Sequence, residues 1–211
     1  MKPHEFNSPR SVRAPRPGVE SVRVIVIGTG FSGLCMGVKL REAGEDDFVM
    51  LERADDVGGT WRDNTYPGCA CDVPSHLYSF SFEANPTWSR MYAPQPEIHA
   101  YLRQTAEKYD LLQHVRFHAN VVSARFDEAR QLWCVQAEDG RQFEAPVLVS
   151  GMGGLSNPMI PHIPGLDQFE GATFHSATWQ HDYDFVGKRV AVIGSGASAI
   201  QFVPQIAPLV D

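Results

Sequence analysis

A glycine-rich turn near the start of the chain has the residue types and the spacing that bind a dinucleotide. Residues 22–27 form an apolar run, and Gly28, Gly30 and Gly33 follow it directly. Gly28 permits a tight turn, Gly30 lets a pyrophosphate approach the backbone, and Gly33 allows the next helix to pack against the strand. We therefore expect a buried strand over residues 22–27 and a helix over residues 32–43 whose first N–H groups point at the phosphate.

A second apolar run supports this interpretation. Residues 48–52 read as a strand that ends in Glu52, about 20 residues after the last glycine of the turn, where a carboxylate would accept the ribose hydroxyls. Strand, glycine turn, helix, strand and acid in this order predict a dinucleotide-binding βαβ unit, whereas an isolated glycine pattern would be weak evidence.

Composition and charge limit the classes of function. The chain has 211 residues, 43% of them hydrophobic, and a formal net charge of −7. This charge disfavours a nucleic-acid partner, since no basic excess is available to neutralise phosphates. The sequence contains neither an apolar run long enough for a membrane span nor a secretory signal. The four cysteines, Cys35, Cys69, Cys71 and Cys134, lack metal-ligand spacing, so we expect reduced thiols, no metal site and a cytoplasmic protein.

The middle of the chain predicts a long loop and a small meander. Residues 57–72 carry glycines, a Pro-Gly turn and a terminal acid, and we expect an ordered loop with neither helix nor strand. An amphipathic helix is expected over residues 96–109, followed by strands over 115–126 and 132–137. Asp139-Gly140 predicts a hairpin turn, and Val147–Ser150 reads as another buried parallel strand.

The end of the chain repeats the opening pattern. Residues 189–193 read as a mostly apolar strand and precede Gly194, Gly196 and Ala199, which form a second dinucleotide turn with alanine at the third place. Two such units imply two nucleotides. No further strand follows, and we therefore expect the chain to be a fragment of a longer protein. The predicted organisation is a disordered leader (1–20), a Rossmann-like α/β dinucleotide domain with an antiparallel β-meander insertion (21–153), a proline-rich linker (154–185) and the start of a second, truncated Rossmann-like domain (186–211).

Two further motifs resemble the fingerprints of a known family. Gly59-Thr60-Trp61, Tyr66-Pro67-Gly68 and Asp72 match a short fingerprint of the class B flavoprotein monooxygenases, and within that class of the Baeyer-Villiger monooxygenases. Phe169, Gly171, His175 and Trp179 resemble the longer fingerprint of the same family, in which proline or aspartate usually stands where this chain has Gln180. The resemblance covers nearly the whole chain from about Val22 onward.

The resemblance implies a set of site residues. FAD would be bound by Gly28, Gly30, Phe31, Ser32, Gly33, Glu52, Gly59, Thr60, Trp61, Asp72, Tyr78 and Val121. Asp72 resembles the catalytic acid that lies beside the flavin and pairs with a mobile arginine. The residues that resemble the NADPH-binding turn are Gly194, Gly196, Ser198, Ala199 and Gln201. His175 resembles the linker histidine that couples nicotinamide binding to domain movement.

The resemblance also implies an activity. An enzyme of this family uses NADPH and FAD to insert one oxygen atom from O2 into a ketone, through a peroxyflavin, and gives an ester or lactone. Its partners would be O2 and a small ketone or heteroatom compound. Three alternatives stay open: a flavin-containing N/S-oxygenating monooxygenase, an inactive FAD-binding module, and a flavin disulfide reductase, which would require a second cysteine near Cys35. The sequence leaves open the substrate, the preference for NADPH over NADH and the oligomeric state.

Overall fold

A computed structural model describes residues 16–211 of the chain. Its strands and helices, in chain order, are β1 (Val19–Ser21), β2 (Val24–Ile27), α1 (Phe31–Glu42), β3 (Phe48–Leu51), α2 (Thr60–Asp63), α3 (Gln95–Lys108), β4 (Val115–Arg116), β5 (Val121–Asp127), β6 (Leu132–Ala137), β7 (Gln142–Ala145), β8 (Val147–Ser150) and α4 (Ala197–Ile206). Short 3₁₀ turns lie at Leu112–His114, Leu166–Gln168 and Ser176–Thr178. The mixed α/β class is the one expected from the sequence.

The chain divides into two compact units. The first contains the residues up to Val57 and Gln104–Gly153, and the second contains Gly58–Arg103 and Gly154–Asp211. The predicted domain limits group the residues differently and stay a prediction. Residues 1–15 of the predicted leader lie outside the described residues, and β1 begins at Val19, within its last residues.

A four-stranded parallel sheet forms the centre of the first unit. Its strand order is β4-β3-β2-β8, and every residue of β2 and β3 is buried. The predicted strands over 22–27, 48–52 and Val147–Ser150 are confirmed within two residues at their ends. The expected burial of Val147–Ser150 is wrong, because β8 lies at the edge of the sheet and its two end residues are exposed. The chain passes from β2 to β3 on one side and later reaches β8 on the other side. The crevice of a doubly wound sheet forms at such a reversal, and here it lies at the carboxyl end of β2, where the glycine turn begins.

A second sheet of the same unit contains the predicted meander. Strands β5, β6 and β7 pair antiparallel, and β1 adds to β7 in parallel. The single strand predicted over residues 115–126 is wrong, because β4 belongs to the parallel sheet and β5 to the meander. The backbone turns between them, with His118 at φ +55°, and this turn lets one sequence stretch contribute to two sheets.

The hydrophobic core of the first unit joins its two sheets. Ile25 and Val49 of the parallel sheet belong to one buried cluster with Val135 and Phe143 of the meander. Helix α1 runs over nearly the predicted residues and ends before Gly44, whose φ of +76° is the left-handed conformation that glycine favours at a helix end. A Cβ on Gly37 of this helix would lie 3.0 Å from Sδ of Met50 and 3.2 Å from the Leu111 side chain, so the glycine allows α1 to approach β3 closely.

The second unit is built from helices and long irregular segments. The loop predicted over residues 57–72 contains the short helix α2, so the expectation of a loop with no helix is wrong. Helix α3 confirms the predicted amphipathic helix to within one residue at each end. No helix within residues 16–211 is long and apolar enough to cross a bilayer.

The apolar stretch before the second glycine turn does not form the strand that the sequence predicts. Residues 189–193 have no regular structure, and Ile193 is 67% exposed. A strand exists only through hydrogen bonds to a neighbouring strand, and no strand in the described part of the chain pairs with this segment. The glycine turn and the helix that follow it are formed nevertheless, as described below.

Candidate functional site

The first glycine turn (residues 28–33) has no room for side chains at its two ends. Gly28 has a φ of +92°, and a Cβ on it would lie 2.8 Å from the carbonyl oxygen of Gly151. A Cβ on Gly33 would overlap the carbonyl oxygen of Gly28. The tight turn and the close packing that the sequence predicts for these two glycines are therefore present. The turn places backbone, and no side chain, at the carboxyl end of β2.

The N-terminus of α1 leaves its first N–H groups without a side-chain cap. Gly30 is the N-cap residue in an extended conformation, and the first helical turn contains no acidic residue. Phe31 is half-buried and Ser32 is exposed. An uncapped helix N-terminus behind a glycine turn is a fitting site for a phosphate group, because the N–H groups and the helix dipole both favour an anion there.

Glu52 is bound to the glycine turn itself. Its side chain is buried, and its Oε2 accepts hydrogen bonds from the Thr29 hydroxyl at 2.6 Å and the Thr29 backbone N–H at 3.1 Å. Its Oε1 accepts from the backbone N–H of Ala54 at 3.0 Å. The sequence predicts a ribose contact for this carboxylate, whereas the structure shows it holding the turn to the end of β3. The ribose contact of this carboxylate stays a prediction.

Sequence reasoning missed two residues of this site. Thr29 donates twice to Glu52, and the signal was a hydroxyl residue between the first two glycines with an acid at the end of the next strand. Gly151 follows β8, and a Cβ on it would lie 3.0 Å from both the Gly33 nitrogen and the Ile27 carbonyl oxygen. The glycine directly after this predicted strand was the available signal.

In the second unit, Trp61 is the buried residue of the Gly-Thr-Trp part of the short fingerprint. The Trp61 side chain is buried, its Nε1 donates to the Tyr78 hydroxyl at 3.1 Å, and its backbone carbonyl accepts from the Gln95 amide. The two aromatic rings meet edge to face at 5.6 Å. Burial raises the pKa of the Tyr78 phenol. Two predicted flavin neighbours are thus in direct contact.

The glycines before Trp61 allow the backbone to turn into α2. Gly58 has a φ of +121° and Gly59 has a φ of +53°. A Cβ on Gly58 would lie 2.7 Å from Cδ2 of His99. Thr60 begins α2 and is exposed.

The Tyr-Pro-Gly part of the fingerprint packs on α4. The Tyr66 hydroxyl donates to Oε1 of Gln201 at 2.9 Å, and Nε2 of Gln201 donates to the Ala70 carbonyl at 2.8 Å. A Cβ on Gly68, which has a φ of +77°, would lie 2.8 Å from the Gln201 backbone oxygen. Burial raises the pKa of Tyr66 to about 12 and also raises that of the Cys69 thiol.

Asp72 lies at the end of this loop with an exposed carboxylate. Within residues 16–211 no hydrogen-bond donor reaches that carboxylate. Its negative charge contributes to the raised pKa values of Tyr66, Cys71 and Tyr78, although burial is the larger cause for each of them. The carboxylate is therefore available to a positive group.

The second glycine turn (residues 194–199) repeats the backbone of the first. Gly194 has a φ of +112°, compared with +92° at Gly28. Gly196 has φ −73° and ψ −177°, compared with −75° and −166° at Gly30, and each is the N-cap of a helix without a side-chain cap. Ser198 and Ala199 in the first turn of α4 are half-buried. The same argument for a phosphate therefore applies to this turn.

The remaining predicted residues lie in different surroundings. Nδ1 of His175 accepts the Ala177 backbone N–H at 3.1 Å and caps the 3₁₀ turn Ser176–Thr178. Trp179 of the longer fingerprint packs against Phe202 of α4, with ring centroids 5.1 Å apart. In the first unit, Val121 begins β5 and packs against the hydrophobic core. No group of His, Cys, Asp and Glu among residues 16–211 has the arrangement of a metal site.

The structure gathers the predicted residues within each unit. In the first unit, Gly28, Gly30, Phe31, Ser32, Gly33 and Glu52 lie at one end of β2 and β3. In the second unit, Trp61 contacts Tyr78, and Tyr66 and Gly68 contact α4. The sequence predicts a cofactor contact for Gln201, whereas the structure shows its amide hydrogen-bonded to the fingerprint loop.

Known proteins resemble this chain closely. A Baeyer-Villiger monooxygenase of Pseudomonas aeruginosa is 57% identical over 188 residues, which are 89% of this chain and 36% of that protein. The closed crystal structure of cyclohexanone monooxygenase superposes with a TM-score of 0.83 at 40% identity over 91% of this chain and 37% of that one. The crystal structure of OTEMO in complex with FAD and NADP gives a TM-score of 0.81 at 36% identity over 90% and 37% of the two chains. The chain thus spans little more than a third of the length of these relatives.

A family model extends over nearly the whole chain. The model of the FMO-like, flavin-binding monooxygenase-like proteins matches residues 21–209. The matched region contains both glycine turns and both fingerprints. The resemblance that the motifs indicate is confirmed, and the chain belongs to the flavin-binding monooxygenase-like family.

Proposed function

We propose that the chain is the nucleotide-binding part of an NADPH- and FAD-dependent monooxygenase that inserts one oxygen atom from O2 into a ketone and gives an ester or lactone. The observation that carries the proposal is the 57% identity to a Baeyer-Villiger monooxygenase over 188 residues. The two glycine turns support it, since each has a first glycine with positive φ and an uncapped helix N-terminus, as dinucleotide-binding turns do.

The first glycine turn would hold the FAD diphosphate. The backbone of Gly28, Gly30 and Gly33, with the N–H groups of Phe31 and Ser32, fits an anion at the start of α1. Glu52 would accept a ribose hydroxyl while it holds Thr29. When bound, FAD supplies the redox chemistry and the activation of oxygen, and the protein supplies binding, orientation and electrostatics.

The family resemblance also implies FAD contacts for the short fingerprint of the second unit and for Val121 of the first unit. Trp61 and Tyr78 brace each other through a hydrogen bond, so that a flavin beside them would meet a rigid apolar wall that excludes water. Gly59 and Thr60 begin α2 next to that wall. The predicted domain limits, 21–153 for FAD and 186–211 for the start of the NADP part, belong to the same proposal.

The second glycine turn would hold the NADPH diphosphate. Gly194, Gly196, Ser198 and Ala199 form the uncapped N-terminus of α4. His175 would link nicotinamide binding to the linker, and Nε2 is the ring nitrogen that could face a ligand, since Nδ1 accepts from Ala177.

Asp72 would orient a cation in the oxygenation step. Insertion of oxygen into a ketone develops negative charge on the carbonyl oxygen, and a fixed positive group near the reacting atoms stabilises this charge. The exposed carboxylate of Asp72 would hold such a group in place.

The test uses a hybrid enzyme in which residues 21–209 replace the matching segment of the Pseudomonas relative. Formation of the seven-membered lactone, a cyclic ester, from cyclohexanone, with consumption of NADPH and O2, is the expected result. Oxidation of an aryl methyl sulfide with no ester from any ketone would instead identify a heteroatom oxygenase, and NADPH oxidation with no oxygenated product would overturn both functions.

Asp72→Ala in the same hybrid should leave FAD bound and lower the rate of ketone oxidation about a hundredfold, the usual effect of losing one group that stabilises an oxyanion. Flavin absorbance after gel filtration and the ester yield measure the two effects. Asp167→Ala, at another exposed aspartate of the second unit, is the matched control. Undiminished ketone turnover in Asp72→Ala would exclude the proposed role.

A further inference from the structure

The side chain of Gln201 is inserted between α4 and the fingerprint loop. Its Oε1 accepts hydrogen bonds from the Tyr66 hydroxyl at 2.9 Å and the Ala70 backbone N–H at 3.3 Å. Its Nε2 donates to the Ala70 carbonyl at 2.8 Å. Both lone pairs of the amide oxygen and one of its two N–H groups are thus used within the protein. Such a side chain has little bonding capacity left for a nucleotide.

Neighbouring residues of α4 contact the same loop. Phe202 meets the Tyr66 ring edge to face at 6.1 Å. A Cβ on Gly68 would lie 2.9 Å from the Gln205 side chain. Gln201 and Gln205 are four residues apart and lie on one face of the helix. The loop therefore rests on this face through a polar pair, an aromatic pair and a close backbone approach.

The other side of the loop is held by backbone hydrogen bonds. The Cys69 carbonyl accepts from the Gln95 backbone N–H at 2.8 Å, and the Cys71 N–H donates to the Ala93 carbonyl at 2.9 Å. Asp72 follows immediately. Its backbone position is thus determined by α4 on one side of the loop and by the segment before α3 on the other.

Helix α4 also begins at the second glycine turn. Ala197 is its first residue, so Gln201 lies about one helical turn from the N–H groups that face a phosphate. A short rigid connection therefore exists between that turn and the loop that ends at Asp72. A change of position at either end would be transmitted by the amide of Gln201.

We propose that Gln201 is a positioning residue that ties the second glycine turn to the Asp72 loop, and that it is not a direct NADPH ligand. The inference rests on the proposed function. The sequence predicts that Gln201 is a cofactor ligand, and the two roles have different effects on the kinetics. Loss of a cofactor ligand raises the KM for NADPH, whereas loss of a positioning residue misplaces Asp72 and lowers the yield of product for each NADPH consumed.

The hybrid enzyme described above separates these cases. Gln201→Met keeps the length of the side chain and removes all three hydrogen bonds. We expect a KM for NADPH within about twofold of the parent value and an ester yield per NADPH that falls about tenfold, as one misplaced polar contact would cause. NADPH that is consumed without formation of ester reduces O2 to hydrogen peroxide instead, and the hydrogen peroxide is measured directly.

Three further variants sharpen the test. Gln201→Glu places a carboxylate oxygen opposite the Ala70 carbonyl oxygen, where two acceptors repel, so its ester yield should fall at least as far as that of Gln201→Met. Tyr66→Phe removes one bond only and should have a smaller effect. Gln168→Met makes the same change at an exposed glutamine of the second unit and should leave the yield unchanged.

A direct measurement on the 211-residue chain is independent of the oxygenase activity. The Ala70 amide should exchange its hydrogen about tenfold faster in Gln201→Met, because it loses its acceptor. Unchanged exchange would overturn the proposal, even if the hybrid produced no ester and the proposed function had failed. A tenfold higher KM for NADPH with an unchanged ester yield would also overturn it and identify Gln201 as a cofactor ligand.

Discussion

At the scale of single residues, hydrogen bonds over long sequence distances define both candidate sites. Thr29 donates twice to the buried carboxylate of Glu52, and Gln201 bridges Tyr66 and Ala70. Hydrogen bonds to a charged group contribute more to stability than those between neutral groups, and a buried acceptor that loses its donor costs the full desolvation of that group. These contacts therefore fix the backbone of the first glycine turn and of the fingerprint loop.

Thr29→Val should lower the free energy of unfolding of the chain by about 2 kcal/mol, since it removes a charge-assisted hydrogen bond to a buried carboxylate and retains the side-chain volume. Urea unfolding followed by fluorescence measures the change. Thr173→Val, at an exposed position, should alter the value by less than about 0.5 kcal/mol. Equal stability of the two variants would show that the Glu52 contact contributes little.

The buried phenol of Tyr66 predicts a pH dependence at the alkaline end. Its pKa is about 12 in the folded chain against 10.0 as the ordinary value, with burial as the main cause. Between these two values the unfolded state loses the proton first, so the stability contributed by Tyr66 is complete below pH 10 and is lost as the pH rises towards 12. Tyr66→Phe should weaken this loss, and tyrosinate absorbance should show one late-titrating group fewer; an unchanged titration curve would contradict the assignment.

At the scale of elements, the same strand-end architecture occurs twice. Each glycine turn leads into a helix whose N-cap glycine is extended and lacks a side-chain cap. The first turn lies at the end of a strand in a complete parallel sheet, whereas the second follows an exposed segment that pairs with no strand in the described part of the chain. The turn conformation is therefore a local property of the glycines and the helix, and the sheet contributes the fixed position.

Gly33→Ala should disrupt the first turn, because its Cβ would overlap the Gly28 carbonyl oxygen, which is backbone and has no space to move. We expect a loss of about 1–3 kcal/mol in stability and the loss of FAD binding. Thermal unfolding and flavin fluorescence measure both. Gly154→Ala is the matched control, since nothing lies within 4 Å of its Cβ position; a Gly33 variant as stable as this control would refute the packing argument.

At the scale of the whole molecule, the two compact units differ in how complete their architecture is. The first unit has two sheets around one buried core, and its glycine turn is supported on both sides by β3 and β8. The second unit contains the fingerprint loop, residues of α3 and all of α4, and its mostly apolar residues 189–193 are exposed. We expect the two nucleotides to bind this chain unequally for that reason.

The purified 211-residue chain should bind FAD and should not oxidise NADPH. Its first unit contains a formed βαβ site, whereas the second glycine turn lacks a paired strand within residues 16–211. The flavin spectrum after gel filtration and the absorbance of NADPH measure the two activities. Rapid NADPH oxidation by the chain would show that the second turn is functional without a paired strand.

The sequence alone determined the βαβ unit, the parallel placement of Val147–Ser150 and the family. These follow from local patterns, since a glycine with positive φ, a helix end or a fully apolar strand is specified by residues that are close in sequence. The family fingerprints also depend on short spacings. For this reason the predicted ends of β2, α1, β3 and α3 lie within two residues of those in the structure.

Only the tertiary structure decided which residues those patterns meet. It divided residues 115–126 between two sheets, left residues 189–193 unpaired within the described residues, and gave Glu52 and Gln201 protein partners where the sequence predicted ligands. Gln201 bonds to residues more than 130 positions away. The partner of a strand or of a polar side chain is set by the fold that brings distant segments together, and no local pattern contains that information.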